Sequence, residues 1–119
     1  ILEIGSHSKT HPDLTNLNSN EEFKKEIKDP KVEIEKMINH EVTHFNYPAG
    51  AHNNEVIERV KKYGYKSAVT TIHGFNDENT DLYHLKRIEA PEDFLLFKSS
   101  ISGSFLTMYH IKDFLRSKK

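Results

Sequence analysis

Val42-Thr43-His44-Phe45-Asn46-Tyr47-Pro48-Ala49-Gly50 is the stretch on which the fold turns. Its first residues are β-branched or aromatic and favour a strand, and Pro48 and Gly50 stop it. Asn53 or Asn54 then caps a predicted helix whose apolar face is Val56, Ile57 and Val60 and whose exit is Gly64. Lys66 to Thr71 reads as the next strand. A helix between two short apolar strands is the βα signature of a parallel sheet or barrel, and such folds place their sites after the strands.

Upstream, Ile1-Leu2-Glu3-Ile4 runs into Gly5-Ser6 and predicts a buried strand ending in a loop that carries His7 and His11. Ser19 followed by Glu22 forms a capping box, with Phe23 and Ile27 at helical spacing behind it. The predicted helix begins near Asn20, kinks or breaks at Pro30, buries Ile34, Met37 and Ile38, and ends near Asn39. Downstream, Ile72 to Leu85 is polar and loop-like, Leu85 to Glu89 alternates as a short strand, and Asp93–Phe97 and Leu106–Leu115 suit helices. There are no internal repeats and no linker. The 119 residues read as one domain or one piece of a domain, of α/β class.

Composition narrows the chemistry. Basic and acidic residues number 17 and 18 and are interspersed, so no field gathers nucleic acid or anionic lipid. No apolar run is long enough to span a membrane. Hydrophobic residues are 35% and mean hydropathy is -0.71, which implies a thin core. With no cysteine, any metal must be held by histidine and carboxylate.

Two segments carry candidate chemistry. His7 and His11 are separated by Ser8-Lys9-Thr10, and imidazoles at that spacing can share one metal ion if the chain between them makes about one turn. A catalytic zinc site takes about three protein groups, so a further ligand must come from elsewhere. The plain alternative is a pair of loop histidines with backbone partners. Pro48-Ala49-Gly50, between a strand and a helix, can present backbone N–H groups to a developing oxyanion, or be an ordinary turn.

His7-Ser8-Lys9-Thr10-His11-Pro12-Asp13-Leu14, Phe45-Asn46-Tyr47-Pro48-Ala49-Gly50, Gly64-Tyr65-Lys66-Ser67-Ala68-Val69-Thr70-Thr71 and Leu85-Lys86-Arg87-Ile88 resemble, in order, successive motifs of the polysaccharide deacetylase family, carbohydrate esterase family 4. The likeness runs from Ile1 to about Gly103. It implies a partial domain spanning 1–119: the later strands and helices of a distorted (β/α) barrel, without the first strands and the aspartate-rich motif that bears the catalytic base and one metal ligand. It further implies that His7 and His11 are two of three metal ligands, with zinc the first choice and cobalt, nickel or iron open. The backbone of Ala49 would be the oxyanion donor, and Tyr47, Pro48 and Gly50 the substrate-binding edge. The sequence departs from the family at Asn46, where many members have Arg, and at Ala49, where many have Tyr. Arg87 either orients the base from upstream or forms an ordinary ion pair. The family's general-acid histidine has no convincing match; Met108-Tyr109-His110 is nearest, with His73 and His84 as other candidates.

The implied activity is metal-dependent hydrolysis of N-acetyl groups on an amino-sugar polysaccharide such as an N-acetylglucosamine polymer, outside the cytoplasm or in the cell envelope. This 119-residue piece is expected to be inactive alone. The alternative is a degenerate fragment that binds glycan or completes a barrel without catalysis. The apolar faces around Ile1–Ile4 and Phe23/Ile27 lack cover, which predicts either a homo-oligomer or residues ahead of Ile1.

Overall fold

The computed structural model describes residues 2–102. The Ser19 hydroxyl accepts from the Glu22 N–H while the Glu22 carboxylate accepts from the Ser19 N–H, completing the capping box at the start of α1 (Asn20–Phe23). The helix does not break at Pro30. It widens into a π-helical segment (Lys24–Lys28) and continues as α2 (Asp29–Ile38). Proline has no N–H and its ring presses on the carbonyl four residues back, here that of Glu26. The widened turn, in which the Asp29 N–H reaches the Lys24 carbonyl, carries the chain past Pro30 without a break. Asn39, with φ 50°, ends the helix in a left-handed cap.

Three strands follow: β1 (His44–Asn46), β2 (Ser67–His73) and β3 (Leu85–Arg87). They form one parallel sheet in the order β1-β2-β3, with Phe45 opposite Ala68 and Val69 opposite Leu85. A bulge between Val69 and His73 brings His73 opposite Arg87. Between β1 and β2 lies α3 (Asn54–Lys62), capped by the Asn53 side chain at the Val56 N–H and ended at Gly64 with φ 85°. The last described helix is α4 (Phe94–Ile101). The predicted Leu106–Leu115 helix lies outside the described residues.

The core is on the helix side of the sheet, where Phe45, Tyr47 and Ala68 meet Val56, Ile57 and Val60 of α3 and Phe23 and Ile27 of the long helix. The Tyr65 hydroxyl donates to the Ile27 carbonyl at 2.8 Å, tying the loop before β2 to the π-helical segment. Burial pushes that phenol up to about 12.

Three sequence expectations fail here. Met37 is 83% exposed, so the buried stripe of α2 is Ile34 and Ile38 without it. The Phe23/Ile27 face does not lack cover: both side chains are buried, packed in one core with the residues of α3 and β1. Ile1–Ile4 is not a buried strand: Leu2 is 99% exposed and Ile4 52%, and pairing is reduced to one parallel bridge between Ser6 and Phe45. The reason is register. Only Ser6 pairs with β1 through its main chain, its N–H and carbonyl bonding the His44 carbonyl and the Asn46 N–H, while Glu3 meets His44 through side chains alone.

Candidate active site

The bridge at Ser6 sets the histidine loop directly beside the end of β1. There His7 Nδ1 donates to the Asn46 carbonyl at 2.9 Å, which fixes the tautomer and leaves the Nε2 lone pair available as a ligand. The His7 and His11 rings stand edge to face with centroids 4.9 Å apart. Ser8 and His11 both have positive φ, at 63° and 58°, and the Ser8 hydroxyl accepts from the His11 N–H. Left-handed backbone at a residue other than glycine costs on the order of 1–3 kcal/mol and persists only where the surroundings impose it.

Those surroundings are visible. Glu26, on the π-helical segment and 5% exposed, accepts from the Lys9 and Thr10 N–H groups at 3.1 and 2.9 Å and from the Thr10 hydroxyl at 2.8 Å. Lys9 Nζ pairs with Glu33 of α2 at 2.9 Å, and this carboxylate is the main cause of its raised pKa. Sequence reading missed Glu26 altogether: within Lys24-Lys25-Glu26-Ile27-Lys28 it looks like one more charged helix residue.

After β1, Pro48–Gly50 forms a single tight turn in which the Gly50 and Ala51 N–H groups bond back to the Tyr47 and Pro48 carbonyls. Those two hydrogen bonds do not use the Ala49 amide. Ala49 is exposed and itself left-handed, with φ 52°. Gly50 has φ 74°, and a Cβ on it would lie 2.1 Å from the Thr71 hydroxyl oxygen, so β2 packs directly on the turn. Thr71 in turn lines a cleft of about 480 Å³ with His73, Arg87, Ile88, Glu89 and Ala90 at the carboxyl ends of β2 and β3.

The structure thus brings His7 against His11, His7 against the main chain of Asn46, and the turn at Gly50 against Thr71 in the wall of the cleft that holds Arg87. Tyr47 and Pro48 sit on the inner side of this turn. Both side chains are buried, and the Tyr47 hydroxyl donates to the Tyr83 carbonyl at 3.0 Å, so they brace the turn from the core. Burial first, then the charges of Asp81 and Tyr83, holds the Tyr47 phenol far above its ordinary pKa. His84 pairs with Asp81 at 3.0 Å and meets the edge of His52, which stacks on Tyr47. His84 therefore belongs to a half-buried polar cluster on the core side of the turn. His110 lies outside the described residues.

Among the described residues no group of three histidine, aspartate or glutamate side chains is placed to hold a metal ion. The donor chemistry of His7 and His11, with one tautomer already set by a carbonyl, fits two ligands of a divalent ion and leaves the rest of the ligand set to other groups.

Residues 2–68 match the polysaccharide deacetylase family, and the chain belongs to that family. Its structure is similar to that of a Bacillus anthracis protein assigned as a polysaccharide deacetylase, at 31% identity and a TM-score of 0.71, covering 82% of this chain and 31% of that one. A Bacillus cereus polysaccharide deacetylase is similar at 31% identity and a TM-score of 0.62, covering 70% of this chain and 26% of that one. A Streptococcus pyogenes deacetylase in complex with acetate is similar at 30% identity and a TM-score of 0.65, covering 70% of this chain and 36% of that one. The matched region thus spans roughly a third of each of these proteins. No curated protein matches the chain. No helix of the described residues is long and apolar enough to cross a membrane.

Proposed function

We propose that this chain supplies the histidine-bearing side of the active centre of a metal-dependent N-deacetylase of amino-sugar polysaccharides, working outside the cytoplasm or in the cell envelope. The observation that carries the reading is His7: its Nδ1 donates to the Asn46 carbonyl, and its ring meets His11 at 4.9 Å. A divalent ion at this pair, zinc before cobalt, nickel or iron, would supply Lewis acidity toward water and the acetamide oxygen. His7 and His11 hold two positions, and the Asn46 carbonyl keeps His7 in the binding tautomer. The Ala49 N–H is the donor to the acetamide oxygen as it gains charge. Arg87 orients the carboxylate that serves as the base.

The test uses a longer protein that contains this chain and an upstream aspartate motif. Acetate release from an N-acetylglucosamine oligomer is expected to disappear on chelation, to return with zinc or cobalt, and to fall by about a hundredfold or more in His7→Ala and His11→Ala. The 119-residue chain alone is expected to release none. Undiminished activity in both histidine variants would rule the reading out.

A further inference from the structure

We propose that Glu26 is the positioning residue of the histidine loop, a carboxylate whose three hydrogen bonds to Lys9 and Thr10 hold the His7 and His11 rings edge to face, 4.9 Å between centroids. The inference rests on the metal-centre reading and adds to it a residue remote in sequence. Its basis is geometric. The loop between the histidines contains left-handed residues at Ser8 and His11, which a free loop would relax. Between those two residues the chain is held by Glu26 alone of the long helix's carboxylates at the backbone: Oε2 takes the Lys9 and Thr10 N–H groups, and Oε1 takes the Thr10 hydroxyl. Three donors also account for how a carboxylate can sit only 5% exposed, since a buried charge without such partners is costly.

The helix is shaped for this contact. Glu26 lies in the middle of the π-helical segment, four residues ahead of Pro30. Widening there turns residues 24–28 relative to an unbroken α-helix, so the accommodation of Pro30 also sets the bearing of Glu26. The Tyr65 bond to the Ile27 carbonyl anchors the same segment from the sheet side. Lys9 Nζ–Glu33 is a second tie to the helix, but an exposed one, and it holds a flexible side chain where Glu26 holds the backbone.

Glu26→Gln and Glu26→Ala separate geometry from bulk. The glutamine oxygen can still accept from both amides while its NH₂ donates to the Thr10 oxygen, so Glu26→Gln is expected to keep the loop; Glu26→Ala removes every contact. Cobalt(II) is titrated into the longer protein that contains this chain and an aspartate motif, with the His7 and His11 ring signals followed by NMR and each variant's melting temperature recorded. Both rings are expected to respond together in the unaltered chain. Affinity is expected to fall about tenfold in Glu26→Ala, measured well below its melting temperature, and to stay near the original value in Glu26→Gln. Exchange of the Lys9 and Thr10 amide protons should quicken in Glu26→Ala only. A folded Glu26→Ala chain that binds cobalt as tightly as the original would overturn the inference while leaving the metal centre standing. A purely structural role would lower the melting temperature without moving affinity. If cobalt touches neither ring in the longer protein that brings the remaining ligands, the metal reading fails and this inference with it. Should Glu26→Ala not fold, Glu26→Asp, one methylene short of the loop, takes its place with the same expected loss.

Discussion

The turn after β1 shows how much can rest on two adjacent residues with the same backbone hand. Ala49 and Gly50 both have positive φ, yet they tolerate exchange differently. At Gly50 an added Cβ would meet Thr71 at 2.1 Å, so Gly50→Ala must push β2 from the turn as well as strain the backbone. It is expected to destabilise the chain by about 1–3 kcal/mol, read from denaturant unfolding. At Ala49 the methyl group is exposed, and Ala49→Gly relieves a strain of about 1–2 kcal/mol but returns up to about 1 kcal/mol of freedom to the unfolded chain. Stability should change little, and deacetylase activity in a longer protein should survive if the Ala49 amide is what matters; a collapse of activity would show that the methyl group has its own role. That His7 and His11 meet, and that Pro48–Gly50 turns the chain, was legible from residue type and spacing. Glu26 was not, because its partners Lys9 and Thr10 are distant in sequence and nothing in a charged helix face announces a long-range contact.

Capping chemistry made several elements readable in advance. Ser19 with Glu22, Asn53 ahead of α3 and Gly64 behind it all act as their residue types demand. What could not be read was competition. Of the two outcomes Pro30 allows, a break is not taken, and the widened turn carries the chain past proline while Ile27 and Phe23 stay in the core. The same helix predicts an acid-sensitive element. Glu22 sits below its ordinary pKa through the Asn18 N–H and then the Ser19 hydroxyl and N–H, and Glu35 through the Lys31 ammonium and then the Val42 N–H. A carboxylate with a depressed folded pKa binds protons more weakly folded than unfolded. Its contribution is present above the ordinary value of 4.5 and is lost as pH falls through the depressed one. Thermal unfolding should therefore hold steady from neutral pH down to that value and decline below it. Glu35→Gln should flatten part of the decline. A melting temperature that rises on acidification would contradict this account.

At the scale of the whole molecule, a parallel sheet asks for cover that a three-stranded piece finds on one side. Parallel strands are ordinarily buried on both faces. Here the long helix and α3 cover the side that holds the core, and towards the end of β2 that cover runs out, leaving Ile72 half exposed. Apolar surface continues elsewhere: Leu2 is almost wholly free, and Phe94 and Leu95 of α4 are 74% and 73% exposed. The βα order and the parallel pairing followed from the alternation of apolar strands with a capped helix. The fate of Ile1–Ile4 did not, because an apolar run specifies burial without specifying a partner, and only Ser6 finds one in β1. Surfaces of this kind associate when concentrated. The 119-residue chain alone is therefore expected to form oligomers that build up with concentration in sedimentation velocity. Leu2→Asp and Leu95→Asp act on separate patches, so each should shift the distribution toward monomer without lowering the melting temperature, since neither side chain contributes to the core. A single monomeric species across a wide concentration range would mean that these patches do not meet in solution. Association unchanged by both substitutions would place the contact on some other surface.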